Sequence, residues 1–197
     1  MIRRFPNVPA MTIESIFSPA QLVGYLALII GVTAFLQKND RRLTLLVAMV
    51  SLAYIVHFAL LGNWTASGSS VVSCVRNLIA LKTRAKVWVA VFIATNVAIG
   101  VWSAESAAQW IPVAASCLAT VAVFRMSGIP MRLVLLTCTM LWVTNNILSG
   151  SIGGTVLECF IATANLTTII RLARARQRAA AGTAPAGLPH EEETRRR

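Results

Sequence analysis

Charged side chains are almost absent from six tracts of the chain, 20–37, 43–62, 87–104, 109–124, 133–150 and 151–170. Each tract is 16 to 20 residues long, close to the roughly 20 that a helix needs to cross an apolar layer ~30 Å thick. A seventh tract, "WTASGSSVVSCVRNLIAL" at 64–81, is rich in serine and carries one arginine, so a hydropathy window misses it. It lies between two crossings, where irregular backbone facing lipid would leave amides and carbonyls unpaired, and is therefore expected to be helical. The pattern predicts an all-α polytopic membrane protein with seven transmembrane helices.

Composition supports this class: 56% of the 197 residues are apolar and 13% charged, against about 25% charged in an ordinary soluble domain. Residues 1–17 are polar and broken by prolines, with no cleavable signal pattern, so the first tract reads as an internal signal-anchor and Met11 as a candidate start. The stretch 178–197, "RAAAGTAPAGLPHEEETRRR", cannot bury a core and is expected to be a disordered basic cytoplasmic tail. Cys74, Cys117, Cys138 and Cys159 fall inside spans at no metal-ligand spacing and read as soft apolar core residues. His57 and His190 make no conventional zinc site alone, and no cofactor is implied.

The net charge of +11 raises nucleic acid as a partner, but distribution decides against it. With seven crossings, one face receives Lys38, Arg41, Arg42, Lys82, Arg84, Lys86, Arg125, Arg132, Arg171, Arg174, Arg176, Arg178 and Arg195 to Arg197, fifteen of the 18 basic residues. The loops of the other face, "GNWTAS", "SAESAAQ" and "SGSIGG", have none. Basic loops resist translocation, which puts the amino terminus outside and the carboxyl terminus in the cytoplasm. Anionic lipid headgroups account for the charge, so membrane lipids are the expected partners and nucleic acid is not.

A shift of 88 residues lays helices one to three over helices five to seven without a gap. Ala20-Gln21 meets Ala108-Gln109, Leu60 and Gly62 meet Leu148 and Gly150, Asn77-Leu78 meets Asn165-Leu166, Tyr54 meets Trp142 and His57 meets Asn145. Only nine of 62 positions are identical, so the stronger argument is topological. A three-helix unit and its copy stand the same way up only if one extra crossing separates them, and 87–104 is that crossing. The expected organisation is an extracytoplasmic segment 1–19, a bundle 20–82, a linker helix 86–104, a second bundle 108–174 and the tail. This 3+1+3 layout makes the halves parallel repeats about an axis along the membrane normal.

"RRL" at Arg41, "HF" at His57, "LLG" at Leu60, "RN" at Arg76, "TR" at Thr83 and "GSIGGTVLE" at Gly150 resemble the YgjV-type inner membrane proteins of bacteria. The resemblance covers about 20–174 and implies a location and a fold, since that family has no assigned activity. More distantly the layout is similar to SWEET and PQ-loop transporters, which place an asparagine on the third and seventh helices at the substrate pocket. Asn77 and Asn165 match that pair by position. No Pro-Gln dipeptide occurs, and of the prolines those transporters carry within spans only Pro112 has a counterpart.

Ionisable groups at bilayer depth cost at least ~2.5 kcal/mol on insertion scales and mark functional sites by default. His57, Arg76 and Glu158 are the three here. On the seventh helix Thr155, Glu158, Ala162 and Asn165 share a face, and on the third Ser70, Ser73 and Asn77 do the same, so two polar stripes are expected to meet across a central cavity. Glu158 is then either a structural partner for Arg76 or a helix terminus, or, with His57, a proton-exchanging group beside a polar solute held by Asn77 and Asn165. Trp142 and Tyr54 lie deep enough to floor a pocket, so the residues expected at the solute are Asn77, Asn165, Glu158, His57, Trp142, Asn145, Arg76 and Ser73; Asn145 also reads, with Asn146 and Asn96, as helix glue, and Trp64, Trp102 and Trp110 as interfacial belt residues. The glycines of "SGSIGG" suit a tight turn and close helix contact, because neither a phosphate-loop lysine nor a nucleotide-binding frame accompanies them.

The expected function is a SWEET-like carrier or facilitator of a small polar solute; the alternative is a non-transporting sensor or assembly protein. Homo-oligomerisation is left open. An enzyme is not expected: Ser67 and His57 lack the nucleophile-loop glycine of an intramembrane protease, and no lysine lies in a span to carry a retinal Schiff base.

Overall fold

The computed structural model describes residues 16–35 and 40–182. Within them seven α-helices follow in order: α1 (Pro19–Phe35), α2 (Asp40–Leu60), α3 (Trp64–Ala80), α4 (Val87–Ser103), α5 (Trp110–Arg125, entered through a 3-10 turn at Ala107–Gln109), α6 (Gly128–Leu148) and α7 (Ile152–Gly182). Residues 1–15, with Met11, and 183–197 lie outside the described residues, as does Lys38. Three helical segments are long and apolar enough to cross a membrane, Ala107–Arg125, Gly128–Leu148 and Ile152–Arg178, and shorter apolar helices cover Pro19–Ala34, Leu45–Leu60 and Val87–Ser103. The serine-rich α3 is in neither group. Eight of its residues, among them Ser67, Ser69, Ser70 and Arg76, are buried by protein, so neighbouring helices rather than lipid set much of its polarity.

Helix and apolar tract part company at three places. α2 begins at Asp40 and takes in Arg41 and Arg42. α6 begins at Gly128, so Arg132, expected in a loop, is helical; Pro130 permits this because a first-turn proline breaks no helical hydrogen bond. α7 continues through "RLARARQRAAAG" to Gly182, since alanine and arginine are strong helix formers even where the apolar tract has ended. The start of the expected disordered tail, 178–182, is therefore helical.

Six helices close a ring. α1 packs on α2 and α7, α2 on α3, α3 on α5, α5 on α6 and α6 on α7, while α4 lies against α3 and α5. The turn that joins α2 to α3 recurs 88 residues later between α6 and α7. Leu61, Gly62 and Asn63 donate backbone N–H groups to His57, Ala59 and Phe58; Ser149, Gly150 and Ser151 donate to Asn145, Ile147 and Asn146. Gly62 (φ 73°) and Gly150 (φ 69°) occupy the left-handed position that this helix-ending turn requires. The next residue caps the following helix in both copies: Asn63 Oδ1 accepts from Ala66 N at 3.0 Å and Ser151 Oγ from Gly154 N at 3.1 Å.

Small residues bring the backbones together. Ala20, Ala27 and Ala34 on α1 are buried, as are Ala115, Ala119 and Ala122 on α5. At Gly153 on α7 a Cβ would stand 2.5 Å from the backbone of Gly24 on α1, so the glycine is needed for this contact. The outer surface is apolar instead, with Leu22, Leu26, Ile29, Leu52, Val56, Val91, Met140 and Phe160 exposed. Trp64, Trp102 and Trp110 are exposed at helix ends that share one end of the bundle, where the turns 61–63, 104–109 and 149–151 gather.

Candidate functional site

Polar side chains turn inward in two layers. At the end that holds the turns, His57 is fully buried between three helices. Its Nδ1 lies 2.6 Å from Ala20 O and its Nε2 2.7 Å from Ser151 Oγ. Because a carbonyl only accepts, Nδ1 carries the proton and Nε2 accepts from the serine hydroxyl. Gln21 fastens the same turn, donating from Nε2 to Gly150 O at 2.6 Å and accepting from Ile152 N at 3.1 Å. Across the molecule Asn63 Nδ2 donates to Asn145 Oδ1 at 3.1 Å and to Ser149 Oγ at 2.8 Å. A serine beside an imidazole has the parts of a nucleophile and base, yet Ser151 Oγ is committed as a helix cap and neither residue lines the two cavities described below. The pair acts as a tie.

Below this layer Trp142 stacks on Tyr54 and Phe58, which tilt against each other, with ring centroids 5.3 to 6.4 Å apart. Tyr54 and Trp142 roof a cavity of about 460 Å³, within the range of small-molecule sites. Its wall comes from α2 (Ser51, Tyr54), α3 (Ser70, Ser73, Arg76, Asn77), α6 (Arg132, Cys138, Thr139, Trp142) and α7 (Glu158, Asn165, Thr168), with Ala119 from α5.

Of the eight residues expected to bind a solute, six thus meet around one cavity: Asn77, Asn165, Glu158, Trp142, Arg76 and Ser73. His57 and Asn145 do not; they belong to the layer above, which corrects the reading of His57 as a proton-exchanging group beside the solute. The pairing of Glu158 with Arg76, one of the alternatives for that carboxyl, is absent among the described residues. Arg76 Nη1 donates to Ser116 O at 3.2 Å and Nε to Asn77 Oδ1 at 3.3 Å, so it is tied to α5 and does not reach for a surface. Glu158 is 6% exposed and has no hydrogen-bond or ion-pair partner among the described residues. Ser73 shares its hydroxyl with Ser116 at 3.4 Å, and Asn165 Nδ2 donates to Arg132 O at 2.9 Å.

Arg132 is the residue that the sequence reading missed. Counted as a loop cation, it lines the cavity; Arg132, Leu135, Cys138, Thr139 and Trp142 share a face of α6, a periodicity visible once the helix is carried back through Pro130. Other expectations change in detail. Asn96 and Asn146 donate to Phe92 O and Trp142 O of their own helices rather than across an interface. All four thiols are free, but only Cys74 and Cys138 are buried and Cys159 is exposed.

The arrangement defines a helical membrane protein whose polar groups surround an internal cavity and whose outer surface is apolar. The Imp-YgjV family, bacterial inner membrane proteins, matches residues 18–176. The chain is 36% identical over 159 residues to inner membrane protein YgjV of Escherichia coli (strain K12), which covers 81% of this chain and 87% of that protein. No solved structure matches. The chain belongs to the YgjV family of bacterial inner membrane proteins.

Proposed function

We propose that this protein is a carrier or facilitator, not an enzyme, that moves a small polar solute through the cavity between two three-helix repeats. The observation that carries the reading is the buried carboxyl of Glu158, which faces a cavity of about 460 Å³ without a protein partner. An unpaired carboxyl held among helices is expensive, and a solute that binds it gives the expense a purpose. The recurring turns and the ring of contacts support a 3+1+3, SWEET-like arrangement of seven crossings, in which the halves rock about the cavity. The basic residues favour an orientation with the amino terminus outside and the carboxyl terminus in the cytoplasm.

Uptake of a metabolite mixture by purified protein in liposomes tests the proposal. Wild type is expected to accumulate at least one polar solute that Asn77→Ala plus Asn165→Ala does not; equal uptake by both, or by neither, overturns the assignment.

One observation favours a second reading, a non-transporting sensor or assembly protein. α7 runs on as an exposed helix bearing Arg171, Arg174, Arg176 and Arg178, suited to anionic lipid or an acidic partner. Full function of a chain lacking 178–197 would count against it.

A further inference from the structure

The charges around the cavity are sorted by depth, and this sorting specifies the ligand. The caps Asn63 and Ser151 occupy equivalent turns at one end. Counting down from them at ~1.5 Å per residue, Glu158 stands about 10 Å deep, whereas Arg76, Asn77 and Asn165 stand about 20 Å deep. Arg132 is thirteen residues before Asn145, which bonds to Asn63, so it too lies about 20 Å down. By backbone position the carboxyl residue therefore stands nearer the aromatic end and the two arginines roughly 9 Å further in, with the Arg76 guanidinium turned toward Ser116 on α5.

Among the described residues no ion pair joins the Glu158 carboxyl to either guanidinium. Two of the five N–H donors of Arg76 are used, on neutral acceptors, and three remain. A neutral polyol would leave the buried Glu158 and Arg76 without a counter-charge, and a simple cation or anion would answer one end only. A molecule with both signs answers both. Two charge-assisted bonds of about 2.8 Å, with roughly 3 Å between the ammonium and carboxylate of an α-amino acid, span about the depth that separates the two levels.

Building on the carrier reading, we propose that the solute is a small zwitterion of the amino-acid class. Its ammonium faces Glu158 beneath Tyr54, and its carboxylate faces Arg76 and Arg132 with Asn77 and Asn165 beside them.

The test is calorimetric binding to the full-length protein in nanodiscs, with L-alanine and L-glutamine as zwitterions, xylose and ribitol as neutral probes, and propylamine and propionate as the two half-molecules of alanine. Zwitterions are expected to bind at least tenfold more tightly than any other probe. Glu158→Gln should weaken alanine at least tenfold while leaving propionate unchanged, and Arg132→Gln should weaken alanine and propionate but not propylamine. Since Arg76 is also tied to α5, Arg76→Gln is a secondary variant, used only if its unfolding midpoint matches wild type. Binding of xylose or ribitol that Glu158→Gln leaves intact would overturn the zwitterion and preserve the carrier. Failure of every probe to bind would also overturn the zwitterion, and failure of the liposome uptake described above overturns the carrier independently.

Discussion

His57 on α2 and Ser151 at the start of α7 lie 2.7 Å apart across the ring, and 88 residues away in each direction the contact is repeated with other side chains: Asn145 on α6 accepts from Asn63 at the start of α3. Each half thus reaches over to hold the first turn of the other half's last helix. Imidazole with hydroxyl on one side and carboxamide with carboxamide on the other perform one task, which explains why the sequence repeat is faint while the geometric one is plain. The layer locks the end of the bundle above the cavity.

Removing this tie should lower stability without touching the cavity. His57→Ala leaves Ala20 O and the Ser151 hydroxyl without their partner in a buried site, and an unsatisfied buried group costs about 1–3 kcal/mol. The expected fall in unfolding midpoint is roughly 3–10 °C for a chain of this size. Combined with Ser151→Ala, the loss should be less than additive, with about 1 kcal/mol of coupling. A His57→Ala variant as stable as wild type would show the tie to be idle.

Two glycines separate close approach from backbone conformation. A methyl group on Gly153 would meet the carbonyl carbon of Gly24 at 2.5 Å, a backbone atom that cannot rotate aside. Gly153→Ala should therefore push α1 from α7 and destabilise by about 2–3 kcal/mol. A methyl group on Gly62 meets open space but is held at φ 73°, and Gly62→Ala should lose only about 1 kcal/mol. Thermal unfolding of the two variants gives the order, and the reverse order would remove the helix-contact account of the "SIGG" run.

Much of this was legible in the sequence because membrane helices announce themselves by the absence of charge. The expected helix in 64–81 emerged in spite of its serines, since its polar face is covered by α2, α4 and α5. The stripe of Ser70, Ser73 and Asn77 and that of Glu158 and Asn165 pointed to a shared cavity through the 3.6-residue period alone. What stayed hidden depended on pairing between distant segments. Nothing near His57 names Ser151, ninety-four residues away, as its partner. Arg132 was lost because an apolar window stops at a charge, whereas a helix does not.

Sidedness is open to a direct check. In a background with the exposed Cys159 replaced, Ser106→Cys places a thiol in the loop between α4 and α5, and Arg84→Cys places one between α3 and α4; both positions are exposed. With the basic face inside, an impermeant maleimide should label the Ser106→Cys variant in intact spheroplasts and the Arg84→Cys variant only after lysis. The opposite pattern would invert the orientation.

The two halves bond their turns unequally, and the more weakly bonded seam should be the moving one. Gln21 clamps the Gly150 turn with two hydrogen bonds, whereas its counterpart Gln109 turns back, its Oε1 accepting from Glu105 N at 2.6 Å. On that side a cavity of about 160 Å³ opens beside Gly62, Asn63 and Ser149, and the Nδ2 of Asn145 is buried there without a partner. Less bonding on one of two equivalent seams makes it the easier to part, so the Asn63 to Ser149 contact is expected to be the gate above the central cavity. A disulfide between Asn63→Cys and Ser149→Cys, whose polar side-chain atoms now meet at 2.8 Å, should stop solute flux in liposomes while leaving binding within about twofold of the reduced protein. Reduction should restore flux. If the oxidised protein transports at the wild-type rate, the seam is a fixed contact, and opening must occur on the Gln21 side.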